Sequence, residues 1–84
     1  MKIPPAYVDN PDGTRRACPI EYNADALTCD GATYPLTAAR IADLEDCSDG
    51  GGIKPKLADG KLWLRGTGTE PGNNGHLIGV LSPA

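Results

Sequence analysis

Thr37-Ala38-Ala39-Arg40-Ile41-Ala42-Asp43-Leu44-Glu45-Asp46 decides the fold, because it reads in two ways. Ala, Leu, Glu and Arg are good helix formers, and Ile41 with Leu44 can share one face of a helix. Read as a strand, Ile41, Asp43 and Glu45 alternate with Arg40, Ala42 and Leu44, a pattern that fits neither period cleanly. Propensity and periodicity leave both forms open.

Outward from this segment the punctuation is clearer. Ser48-Asp49-Gly50-Gly51-Gly52 is the strongest loop signal in the chain, since successive glycines maximise backbone entropy in any regular element. Lys61-Leu62-Trp63-Leu64-Arg65 follows the turn Asp59-Gly60 and reads as a strand, with Leu62 and Leu64 on one side and Trp63 opposite. A Gly/Thr/Asn-rich stretch over 66–75 returns the chain to Leu77-Ile78-Gly79-Val80-Leu81, the last strand. Upstream, Ile20 and Tyr22 precede a polar turn at Asn23-Ala24, Leu27 and Cys29 follow it, and Asp30-Gly31 introduces Ala32-Thr33-Tyr34-Pro35-Leu36: two hairpins in succession. Residues 1–16 read as an amino-terminal arm with one strand at Tyr7-Val8 and a turn at Asn10-Pro11-Asp12-Gly13. Residues 17–84 form the domain. About five short strands separated by turns predict an all-β fold with minimal helix, a small five-stranded OB-like barrel.

At 84 residues the chain holds one modest core, and such a domain buries only about 60% of the surface its unfolded chain exposes. Eleven Gly, eight Pro and no Phe fit a turn-rich globular domain. The formal charge of −3 argues against a broad nucleic-acid surface, because that affinity comes from Lys and Arg displacing counterions. Local basic pockets remain open at Lys54 with Lys56 and at Arg15 with Arg16. No apolar run reaches the roughly 18 residues that a membrane helix needs, and the start lacks a charged-then-apolar secretory pattern. The expectation is a soluble, cytoplasmic chain with no membrane partner.

Cys18, Cys29 and Cys47 make an odd count, so one thiol is left over from any internal bridge, which favours a reducing compartment. A two-residue turn at Asn23-Ala24 would set Cys18 opposite Cys29 as a hydrogen-bonded pair, with Cα atoms about 5.5 Å apart, within disulfide range. A bridge and two buried thiols both fit. The absence of a CxxC and the single His argue against a zinc site.

Three stretches, in order, resemble eroded motifs of the thermonuclease-like family. Asn23-Ala24-Asp25-Ala26 stands where the family has DGDT. Arg40-Ile41-Ala42-Asp43-Leu44-Glu45 stands where it has its Arg and second metal carboxylate, and Cys47-Ser48 replaces the following Pro-Glu. Asn73-Asn74-Gly75-His76 stands where it has D-x-Y-G-R before an apolar strand. The resemblance spans 17–81 and implies that 37–46 is the third barrel strand. It makes Asp25 and Glu45 the candidate ligands of a Ca²⁺ ion, with Arg40 and His76 facing the scissile phosphate. Glu70 is the nearest acidic residue to the missing third carboxylate.

The departures weigh against catalysis. Losing the general base at Ser48 removes a proton acceptor worth roughly 10²–10⁴ in rate, and Asp49, one residue later among glycines, is its only substitute. His76 in place of a guanidinium removes a permanent bidentate cation. A barrel without the family's helices exposes apolar surface or a free sheet edge. The expectation is a non-catalytic module binding a protein partner or itself, as a phage or mobile-element inhibitor or scaffold piece would, with no cofactor and only weak hold on nucleic acid. The alternative is a residual Ca²⁺-dependent nuclease. Both require Asp25, Arg40, Glu45 and His76 to converge on one patch of a closed barrel. Each residue also has a structural reading: Asp25 as a turn former, Glu45 as a solvated strand end, Arg40 as a snorkelling side chain, His76 as a turn residue, Trp63 as a core or rim packer.

Overall fold

Two Asp-Gly turns set hairpins. Asp30 and Gly31, both at positive φ (55° and 78°), join β4 (Ala26–Cys29) to β5 (Ala32–Pro35). Asp59 and Gly60 (54° and 71°) join β6 (Ile53–Ala58) to β7 (Lys61–Thr67). Positive φ at both central residues matches the twist of a two-residue hairpin, and Asp tolerates that region better than most side chains. The computed structural model describes residues 3–50, 52–67 and 74–84, without the side chains of 47–50, 74 and 75.

The strands form two open sheets. Sheet one runs β2 (Arg15–Cys18), β1 (Ala6–Asp9), β6, β7, β8 (Asn74–Leu81), with β1 parallel to β6 and its other pairs antiparallel. Sheet two is an antiparallel meander of β3 (Glu21–Asn23), β4 and β5. The fold is thus mostly β, as expected, but its sheets are not closed into a barrel. The stretch read as an arm supplies β1 and the first half of β2, turned by Asn10, whose amide donates to the Thr14 carbonyl at 2.7 Å. Pro55 lies inside β6, where a proline is usually excluded. It stands at the limit of β1, whose pairing covers only Lys56 and Leu57.

The deciding segment is a helix, α1 (Ala38–Gly50), which corrects the strand expected at 37–46 and the loop expected from Ser48. Thr37 caps it: the Thr37 hydroxyl accepts from the Arg40 amide at 3.1 Å, and the Thr37 carbonyl accepts from Ile41 at 3.0 Å. Leu44 is fully buried and Ile41 packs partly beside it, while Ala42, Asp43, Glu45 and Asp46 face solvent. Helix propensity, reinforced by that cap and by burial of one stripe, prevailed over the alternation.

The hairpin at Asn23-Ala24 is displaced by one residue. Asn23 pairs with Ala26 and Tyr22 with Leu27, enclosing Ala24-Asp25, with Ala24 at φ 56°. Before this hairpin, the chain leaves sheet one after Cys18, where Pro19 cannot donate to a ladder, and starts β3 at Glu21. Cys18 is therefore not the cross-strand partner of Cys29; it pairs with Ala6. The two thiols nevertheless meet where the sheets face each other, free and buried, with sulfurs 2.8 Å apart.

The core lies between sheet one and the layer made by α1 and sheet two. Ala6, Ile53, Leu62, Leu64, Ile78 and Leu81 come from sheet one; Leu27, Cys29, Tyr34 and Leu44 come from the other side. A register shift between β7 and β8 beside Arg65 lets Ile78 and its neighbour Gly79 both turn inward.

Candidate functional site

Asp25 sits exposed in the β3–β4 turn, where its carbonyl accepts from the Leu36 amide at 2.7 Å. Glu45 is exposed on α1. Asp49 also belongs to α1, and its side chain lies outside the described residues, as do Glu70, Asn73 and the side chain of Cys47. Among the described residues no group of three or more His, Cys, Asp or Glu side chains could hold a metal ion. Convergence of the four expected residues required a closed barrel; they stand instead on a turn of sheet two, on α1 and on β8.

Arg40 and His76 come nearest to a common place. The Arg40 guanidinium donates to the Ile78 carbonyl of β8 and lies 3.8 Å from the Asp43 carboxylate. A Cβ on Gly79 would meet that guanidinium at 2.5 Å, so this glycine is where the arginine lies against the strand. His76 is exposed two residues before Ile78. Arg40 thus ties α1 to β8 at the rim of sheet one.

A second gathering of charged and aromatic side chains lies on the outer face of sheet one. Strand alternation sends one set of side chains inward and the other to solvent. Cross-strand register places Ala17, Tyr7, Lys56, Trp63 and Val80 in one outward row, with Lys54 opposite Arg65 beside it. Asp9, Arg15 and Lys61 face the same way. Five of the eight basic residues gather here, in a chain of net charge −3. Asp9 bridges two of them, at 2.9 Å from Arg15 and 3.7 Å from Lys56. The Arg15 hydrogen bond, then the Arg15 and Lys56 charges, hold its carboxyl below the usual range. The Arg15 guanidinium also stands 5.6 Å over the Tyr7 ring.

Trp63 is half-buried here and outside the core; its indole N–H donates to the Ala58 carbonyl at 3.0 Å, fixing the ring. Lys54, Lys56, Ala58, Asp59, Trp63 and Arg65 line a shallow cavity of about 390 Å³. The sequence marked Lys54 with Lys56 and Arg15 with Arg16 as basic pairs, but not their gathering with Trp63 and Arg65 on one face. The signal was present, because a two-residue turn at Asp59-Gly60 pairs Lys54 with Arg65 and Lys56 with Trp63 by counting outward; Pro55 concealed the strand before the turn. No family model matches this chain, and no curated protein and no solved structure matches it.

Proposed function

We propose that this chain is a non-catalytic binding module that engages a protein partner through the outer face of sheet one. One observation carries the reading: α1 and sheet two cover only the inner face, leaving outward a cross-strand row of Tyr7, Lys56 and Trp63 flanked by Lys54 and Arg65. Aromatic rings and arginines concentrate binding energy at protein interfaces, and Tyr7 is 42% exposed, Leu77 39%. Self-association through the same face is the homotypic form of this reading.

A Ca²⁺-dependent phosphodiesterase of thermonuclease type is the second reading, favoured by Arg40 and His76 both lying at β8. Its weakness is α1, which occupies the segment that the resemblance needs as a barrel strand.

Two assays separate the readings. DNA and RNA incubated with the protein in millimolar Ca²⁺ stay intact, and Ca²⁺ leaves the melting temperature unchanged; cleavage abolished by Asp25→Ala would establish the nuclease instead. A tagged chain retains a partner from lysate of its source cells, Lys54→Glu loses it, and Glu21→Lys, on sheet two, keeps it. Retention indifferent to Lys54→Glu contradicts the binding reading.

A further inference from the structure

We infer that the partner segment held on this face is an acidic, extended polypeptide stretch with apolar residues between its carboxylates; this rests on the binding-module reading above. Charge complementarity is the first argument. The face gathers Arg15, Lys54, Lys56, Lys61 and Arg65 against Asp9 and Asp59, while the rest of the chain is net acidic. Lys54 and Lys61 have no ion-pair partner among the described residues, so their ammonium groups can be offered to an incoming carboxylate.

Spacing is the second argument. Outward residues two apart on a strand, such as Lys54 and Lys56, repeat at about 6.6–7 Å, the same repeat with which an extended peptide presents alternate side chains to one side. A Glu-x-Glu stretch laid along β6 therefore meets Lys54 and Lys56 in register. The cavity supplies the rest. Trp63 and Ala58 form an apolar wall for a side chain of the segment, and the Asp59 carboxylate accepts from peptide N–H groups.

Single-stranded nucleic acid fits less well. Tyr7 already carries the Arg15 guanidinium over its ring and Trp63 is half-buried with its N–H engaged, so the rings offer no open stacking platform for bases.

Fluorescence anisotropy on the whole chain tests this with three labelled probes of equal length: a peptide alternating Glu with Leu, its Gln-for-Glu copy, and oligothymidylate. The Glu peptide should bind, the Gln copy should bind at least about tenfold more weakly, and rising salt should weaken the Glu peptide. Lys54→Glu, with an unchanged melting temperature, should cost a further tenfold or so; Lys56→Gln should weaken binding in the same direction. Equal binding of the Gln copy, tighter binding of oligothymidylate, or no binding of the Glu peptide would overturn the inference. Should the peptide fail while partner retention from lysate still depends on Lys54, only the acidic-segment inference falls; should retention be indifferent to Lys54, the binding-module reading falls with it.

Discussion

Ala24 holds a conformation that its side chain disfavours, with φ 56° in a two-residue turn. An L-residue with a Cβ pays about 1–2 kcal/mol in this region and glycine does not, so Ala24→Gly should stabilise the domain by about 1 kcal/mol, read from the urea midpoint at constant slope. Cys29 gives a pH-dependent counterpart. Burial, then its contact with Cys18, pushes its thiol up from the ordinary 9.0 to about 12. The folded state therefore holds the protonated form: this stability is complete below pH 9.0 and is lost as pH rises towards 12. Melting temperatures should fall across this alkaline window more steeply than in Cys29→Ala, and at neutral pH native Cys29 should resist alkylation that unfolded chain undergoes readily. The proximity of Cys18 and Cys29 was foreseeable from the hairpin pattern, but their register was not, because the chain passes from one sheet to the other between them.

At the scale of elements, α1 hangs on two contacts that the chain does not advertise. Leu44 is its buried anchor, so Leu44→Ala should cost about 2–5 kcal/mol, measured by chemical denaturation. Arg40 and Gly79 form the second. Gly79→Ala would drive a Cβ into the guanidinium at 2.5 Å, which displaces a flexible side chain from the Ile78 carbonyl. Once Arg40→Ala has removed that group, Gly79→Ala should cost less than it does alone, a coupling that a double-mutant cycle reads directly. The Asp-Gly hairpins at 30–31 and 59–60 were legible in the sequence because their turn chemistry is local. The helix was legible only as propensity. Its cap uses Thr37 without the acidic residue three positions on that usually announces a helix start, and its apolar stripe is short, so the thermonuclease resemblance could tip the reading to strand.

For the whole molecule, composition correctly indicated a small, mostly β domain, while the way strands distribute between two sheets was beyond it. The parallel contact of β1 with β6 joins segments far apart in the chain, and no local pattern encodes such a pairing. The same pairing assembles the outer face, bringing Tyr7 beside Lys56 and carrying the Asp9–Arg15 pair of the β1–β2 hairpin alongside β6. This is why a chain of net acidic charge carries a concentrated basic surface. We propose that this face, and not the eroded carboxylate motifs, is the working surface. Site-specific photocrosslinking tests it most directly: with benzoylphenylalanine at Tyr7, on the outer face, or at Thr33, exposed on sheet two, adducts with a partner protein should form in lysate from position 7 and not from position 33. Adducts from position 33 alone, or from neither, would contradict the account.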